Sequence, residues 1–276
     1  MNVIAARSTP LTIFADLLER RTGQRISAGR SWRIEAALRP FLRELGMADL
    51  GVLADRISGR DEALGTRVTE ALLNNETSFF RDMNMFDVFG RQILPMLAQT
   101  NLATRRLRFW SAGCSTGQEA YSLAMMVRDQ GALWEGWTID ILATDVSTSV
   151  VDRARAGRYT QFEIQRGLPV RTMLRWFEQQ DEDWVIDPRL RREVRFATHN
   201  LLLPAPRRFD AIFCRNVLMY FQAETRTRLF SHIADALDPG GVLVLGAGET
   251  VTGQTARFAP HPEWRGFHAA TAANRP

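Results

Sequence analysis

The sequence contains no lysine: all 35 basic residues are arginine, against 31 acidic ones, for a net charge of +4. That bias follows either from genome composition or from a basic surface facing an acidic partner, whether acidic helices or phosphate. Charge alone does not separate the two. Cysteine is nearly absent. Cys114 and Cys214 are the only two, each in or beside an apolar strand-like run, with no metal-type spacing. This excludes a disulfide framework or a cysteine-based zinc site and reads as two reduced thiols in a cytoplasmic protein. Four scattered histidines give no metal cluster either. No apolar run approaches the roughly 20 residues of a membrane helix, so no membrane insertion is expected. Met1 to Pro10 lacks the basic-then-apolar order of a secretory signal. Internal repeats and low-complexity tracts are missing as well. A complete G-x-G-x-x-G is also missing, which disfavours a dinucleotide ligand.

What is present is a strand feeding a small-residue turn feeding a helix. Leu107–Ser111 reads as a buried strand, Ala112–Gly117 as the turn, and Ala120, Leu123, Ala124 and Val127 as one helical face. This arrangement is how α/β folds hold a nucleotide-like ligand, with Gly113 allowing close backbone approach. An ordinary βα connection would read the same way. Further along, Trp137–Thr144 reads as a second strand ending at Asp145. A carboxylate there can accept from both hydroxyls of a ribose, or it can cap the helix predicted over 150–156.

The first 74 residues read as helix throughout. Four apolar stripes (Leu11, Phe14, Leu17, Leu18; Ile34, Leu38, Phe41, Leu42, Leu45; Leu50, Leu53, Ile57; Leu64, Val68, Ala71, Leu72) are punctuated by Gly23, Gly46 and Gly59. A polar-aromatic junction at 74–82 and a helix from about 83 to 97 follow. After the second strand, 157–192 is the least regular part, with a helix at 170–177 and a short strand at 184–186. Strands follow at 194–197 and 209–214, then a helix at 225–237 and an Asp238-Pro239-Gly240-Gly241 turn. A core strand at 242–245 and an antiparallel edge strand at 264–269 close the chain. This order fits an α/β class: a class I, Rossmann-like methyltransferase sheet, doubly wound, preceded by a small all-helical domain. Polar strand ends at Ser111–Gly113, Asp145, Asn200 and Arg215–Asn216 would converge on one crevice. The domain organisation expected is 1–74 helical, 75–98 linker and junction helix, and 99–276 methyltransferase domain with a small β-subdomain at about 170–195.

Four blocks then carry a family resemblance. Asn75-Glu76-Thr77-Ser78-Phe79-Phe80-Arg81-Asp82, the run Trp110–Ser122, Ala143-Thr144-Asp145-Val146, and the run Phe209–Phe221 resemble, in order, the signatures of the CheR family of chemoreceptor glutamate methyltransferases. The resemblance implies transfer of a methyl group from S-adenosyl-L-methionine to glutamate carboxylates on receptor helices. It leaves S-adenosyl-L-homocysteine and a methyl ester. By motif position it implies cofactor contacts at Asn75, Thr77, Arg81, Gly113, Glu119, Asp145, Asn200, Leu201, Arg215 and Asn216. Arg81 and Tyr220 match the residues beside the reacting methyl, so Tyr220→Phe should cost rate more than cofactor affinity. The implied partners are the cytoplasmic helical domains of chemoreceptors, with no nucleic acid, and the family default is a monomer.

The resembling members that dock a receptor's C-terminal peptide carry a Gly-containing insertion between the positions of Arg175 and Arg195. Here Glu178–Asp183 reads as a shorter loop without glycine, so a tethering pentapeptide is not expected. Arg39 and Arg43 on the second helix then become the expected contact for acidic receptor helices. Three alternatives compete. Another class I methyltransferase substrate, including nucleic acid, is disfavoured because Arg215-Asn216-Val217 is not the Asn/Asp-Pro-Pro-aromatic pattern of base methylation. A non-catalytic, cofactor-sensing signalling protein is disfavoured by intact Arg81 and Tyr220. A dinucleotide oxidoreductase is disfavoured by the glycine pattern.

Overall fold

A computed structural model describes residues 9–271. These divide into two compact units. The described part of Met1–Asn74 together with Tyr220–Gln222 forms one, and Asn75–Met219 with the described part of Ala223–Pro276 forms the other.

The first unit contains α1 (Pro10–Thr22), α2 (Trp32–Glu44), α3 (Leu50–Ser58) and α4 (Glu62–Leu72). Three of the four starts are set by a capping side chain. Thr9, Asp49 and Asp61 accept from the first free amides of α1, α3 and α4, and Pro10 supplies a ready-made first helical residue. Phe14, Leu18, Leu38, Leu53 and Val68 are buried together at the centre. Of the expected second stripe only Ile34 and Leu38 are buried, while Phe41 and Leu42 are half-exposed. Arg39 and Arg43 lie one turn apart on the exposed side of α2. The segment Tyr220–Gln222 is bound into this unit at three points. The Arg25 amide donates to the Tyr220 carbonyl at 2.7 Å, Gln24 pairs with Phe221, and the Gln222 amide donates to Glu19 at 2.5 Å.

The second unit opens with α5 (Met83–Val88), which passes through one π-helical turn (Phe89–Ile93) into α6 (Leu94–Thr100). Then come β1 (Arg106–Ala112), α7 (Gln118–Asp129), β2 (Thr138–Asp145), α8 (Thr148–Ala156), β3 (Arg158–Thr160), α9 (Gln161–Gln165), α10 (Val170–Trp176), β4 (Phe177–Gln180), β5 (Asp183–Ile186), α11 (Pro188–Glu193), β6 (Val194–Thr198), β7 (Phe209–Cys214), α12 (Ala223–Ala236), β8 (Leu237–Leu245), β9 (Phe258–Pro260) and β10 (Phe267–Ala270). The main sheet has the order β6-β2-β1-β7-β8-β10-β9. Its first five strands are parallel and the last two antiparallel. Strand order reverses between β1 and β7, so the crevice of a doubly wound sheet opens there. Phe109 meets Phe89 of the π-helical turn on one face, while the next residue, Trp110, stacks on Phe209 on the other. β7 is buried along its whole length, as a central parallel strand must be.

Four details depart from the sequence expectation. The strand at 267–270 is not the edge, because β9 pairs outside it. The Asp238–Gly241 turn lies within β8, as an irregularity between the Phe209↔Leu237 and Ala211↔Val242 pairs. Glu178–Asp183 is not a loop: all but Asp181 and Glu182 belong to paired strands, and Asp181 takes φ 57° in the tight hairpin. The irregular stretch also contains α11 and β3. β3 is one edge of a three-stranded antiparallel sheet of order β3-β5-β4.

Candidate active site

The turn after β1 is an unusual piece of backbone. Gly113, Ser115 and Gly117 all have positive φ, at 85°, 49° and 95°. At Gly113 the requirement is double, since a Cβ would also lie 2.7 Å from Val217 Cγ2. The curled turn is pinned to the end of β2. The Gly113 and Cys114 amides both donate to the Thr144 carbonyl, at 2.8 and 2.9 Å, and the Ser115 amide donates to Asp145 at 2.9 Å. The Ser115 hydroxyl donates to the Asn75 carbonyl at 2.7 Å, which ties the junction motif to the same turn.

These bonds decide what the turn can hold. A diphosphate-binding loop leaves its amides free for the anion. Here three successive amides are consumed, and Glu119 stands in the first turn of α7, where it would repel a phosphate. Of its two candidate roles, Asp145 does not take that of helix cap. Its Oδ1 accepts from the Ser147 amide at 3.1 Å, yet Ser147, not Asp145, caps α8. The His199 amide donates to the Asp145 carbonyl at 2.8 Å, which brings Asn200 to the same strand-end row. Asn200 itself accepts from the Leu202 amide at 3.0 Å. Leu201 and Thr77 are half-buried.

Across the switch point, Arg215 directly follows β7 with its side chain 2% exposed. It donates to Glu119 at 3.0 Å, to Asp82 at 2.7 Å and to the Arg81 carbonyl at 2.7 Å. The other Glu119 oxygen accepts from the Ser111 hydroxyl at 2.7 Å. A buried cation is thus met by two carboxylates and a carbonyl, which such a cation requires. Its geometry fixes a strained stretch, because Phe80 and Asp82 take left-handed φ of 48° and 61°. Phe79, fully buried, anchors the same stretch by edge-on contacts with Tyr159 at 5.0 Å and Phe177 at 5.4 Å. Between these anchors Arg81 is half-buried, and its guanidinium makes one long bond, 3.3 Å to the Glu76 carbonyl.

Cys114 sits within the turn, but burial and the nearby Asp145 and Glu119 carboxylates push its thiol well above the usual range. It is not a nucleophile. Among the described residues no cluster of His, Cys, Asp and Glu could hold a metal. A cavity of about 630 Å³ opens beside Arg215, lined by Asp82, Met85, Leu245, Trp264 and Phe267. A larger one, about 730 Å³ between α6 and the end of α7, touches none of the candidate residues.

The structure therefore joins Asn75, Gly113 and Asp145 in one network and Arg81, Glu119 and Arg215 in another. Tyr220 falls in the helical unit, at the end of a 3₁₀ turn (Leu218–Tyr220), where its hydroxyl pairs with the Asn74 side-chain amide. Sequence reasoning missed Glu249, whose carboxylate accepts from the Asn216 amide at 2.7 Å. It lies in a loop with no periodicity, 33 residues along the chain from its partner.

Comparison with known proteins bears on the same residues. Positions 75–265 match the family profile described as CheR methyltransferase, SAM binding domain. The chain is 35% identical over 256 residues to chemotaxis protein methyltransferase 1 of Pseudomonas aeruginosa, covering 90% of this chain and 92% of that one. It is 34% identical to chemotaxis protein methyltransferase Cher2 of Pseudomonas putida, covering 87% and 90%. It is also 34% identical to a chemotaxis protein methyltransferase of Vibrio parahaemolyticus, covering 89% and 90%.

Proposed function

This chain belongs to the CheR methyltransferase family, with S-adenosylmethionine as cofactor, and on that premise we propose that it esterifies glutamate side chains of chemoreceptors. The observation that carries the reading is the pairing of a phosphate-incompatible turn with a largely uncommitted Arg81. The turn suits a ligand with a ribose diol and no phosphate. Gly113 would face it, Asp145 would accept from the diol, and Asn75, Thr77, Asn200, Leu201 and Asn216 would complete the walls. Glu119 and Arg215, which bond each other, would contact it as well.

When bound, the cofactor supplies a methyl group on a sulfonium that is already a good leaving group. The chain's own task is then placement. A glutamate carboxylate is ionised at neutral pH, so no general base has to remove a proton. Arg81 has guanidinium donors free to orient that carboxylate, with one oxygen in line behind the methyl carbon. The Tyr220 hydroxyl is the second orienting group. The new bond is oxygen to carbon, the broken bond is carbon to sulfur, and the electron pair leaves on sulfur.

The acceptor helices are acidic on this reading, and Arg39 and Arg43 on the exposed face of α2 are their docking residues. The two-residue Asp181–Glu182 hairpin supports recognition without a tethering pentapeptide; micromolar binding of such a peptide would refute that part. The protein acts as a monomer in the cytoplasm, and no described helix is long and apolar enough to cross a membrane.

The test is methyl transfer from labelled S-adenosylmethionine to membranes containing candidate chemoreceptors, followed by alkali. Label released as methanol from the receptor band is the expected result. Cofactor binding with no base-labile label on any receptor would mean a different acceptor, or a sensor rather than an enzyme.

A further inference from the structure

The turn after β7 does three things within three residues. Arg215 holds the Arg81 carbonyl. Asn216 takes a left-handed φ of 58°. Val217 covers Gly113, to whose absent Cβ its methyl would be 2.7 Å away. A non-glycine residue at that φ is unfavourable unless its surroundings fix it. What fixes it is a single carboxylate from a distant loop. Glu249 accepts from the Asn216 amide at 2.7 Å, the Leu218 amide at 2.8 Å and the Gly246 amide at 2.9 Å. Gly246 leaves room for this clamp, since a Cβ there would lie 2.8 Å from the Asn216 side-chain nitrogen and 2.9 Å from Glu249 Oε2 and would push both side chains aside. Three charge-assisted bonds to one carboxylate are a specific way to set a turn.

We propose that Glu249 is a positioning residue for methyl transfer: it fixes the Asn216–Leu218 turn and so sets Arg215, and through it Arg81, against the Gly113 turn. The inference rests on the functional reading above. Glu249 itself touches neither the cofactor nor the acceptor; its effect passes through backbone amides. A glutamine of the same shape keeps an accepting oxygen but turns an amide N–H toward one of the three donors. The turn then shifts without a cavity being made. Shifts well under a bond length at a reacting centre reduce kcat far more than they weaken binding.

The experiment uses the full chain and Glu249→Gln, with receptor-containing membranes and labelled S-adenosylmethionine. Cofactor affinity by calorimetry, thermal midpoint and amide exchange are measured beside it. We expect kcat to fall about tenfold, with cofactor Kd changed less than about threefold. The thermal midpoint should stay near wild type, and exchange should quicken at Asn216 and Leu218 but not in β7. A kcat within about twofold of wild type would overturn the proposal. So would a loss of kcat that comes with a matching fall in midpoint and exchange quickened across the sheet. Wild-type protein that transfers no label would sink the functional reading instead, and exchange at Asn216 and Leu218 would still decide whether Glu249 holds the turn.

Discussion

Two ion clusters at opposite ends of the same parallel strands use the same side chains in opposite proportions. At the C-terminal ends, one buried arginine, Arg215, is shared by Asp82 and Glu119. Near the N-terminal ends, one carboxylate, Asp140, is shared by Arg106, Arg195 and Arg207. The first cluster buries its arginine and most of Glu119, with Asp82 reaching water at 40% exposure, and binds a backbone carbonyl, so it dictates where a strained segment lies. The second has arginines 54% and 62% exposed at two of its three corners, where water competes for every bond. Buried ion pairs are costly to make and costlier to break, while exposed ones contribute little. The difference identifies the first as a positioning device and the second as surface chemistry.

The sharpest way to break the comparison is Arg215→Met. It leaves Asp82 and Glu119 facing each other without a cation and releases the Arg81 carbonyl. Loss of one partner from a buried pair should cost about 3–5 kcal/mol in urea unfolding. Methyl transfer should fall by about a thousandfold or more, since Arg81 is no longer held. An active, stable variant would show that Phe79 and the Ser115 hydroxyl bond suffice to place the junction motif. Tyr220→Phe should come next in size. It removes one hydroxyl without removing a charge, so kcat should drop about 10- to 100-fold with cofactor affinity nearly unchanged. A large loss of affinity would mean that the hydroxyl serves the cofactor, not the acceptor.

Much of the candidate site was legible because parallel sheets place function at strand ends, and strand ends can be read from apolar runs. Gly113, Asp145 and Arg215 each follow such a run directly. The role of each was harder to read than its position. Arg215 and Glu119 read as ligand contacts by motif, and the fold adds bonds that no motif shows, from Arg215 to Glu119, Asp82 and the Arg81 carbonyl and from Ser111 to Glu119. Glu249 had no local signal, since two of its three partners are amides 31 and 33 residues away and amides have no letter in the sequence. The same applies to α11 and β3, whose six and three residues are too short to show a period. The Asp238–Gly241 excursion within β8 reads as a plain turn because only its pairing with β7 reveals that the strand continues past it.

A third buried charge-capable group sharpens the contrast, because it has no partner at all. His268 on β10 is 4% exposed, and neither ring nitrogen makes a hydrogen bond among the described residues. Burial pulls its pKa down to about 4. The folded chain therefore resists a proton that the unfolded chain accepts near pH 6.5. Its contribution is intact above about pH 6.5 and is lost as pH falls toward 4. Allowing for partial screening, urea unfolding at pH 5 should show stability lower by on the order of 1–2 kcal/mol than at pH 7.5. His268→Leu should flatten that dependence. An unchanged slope would mean that water or a neighbouring group reaches the ring.

Asp140→Asn should have the smallest effect, and it tests the comparison from the other side. The Arg207 guanidinium bonded to Asp140, with Arg195 and Arg106 nearby, holds its carboxyl below the usual carboxylate range. A depressed carboxyl contributes stability above its unfolded pKa and loses it as pH falls through the folded one, so at neutral pH the full contribution is present. That contribution is limited because two of the three arginines are well exposed. Neutralising the carboxylate should cost about 1 kcal/mol or less in urea unfolding at pH 7. The cost should shrink further in 0.5 M salt, since that shortens the screening length to a few ångströms. Methyl transfer should be unchanged, because no bond leads from Asp140 to Gly113, Asp145 or Arg215. A loss of several kcal/mol that persists in salt would place this cluster in the same class as Arg215, and proportion of charges would then be no guide to which cluster positions the site.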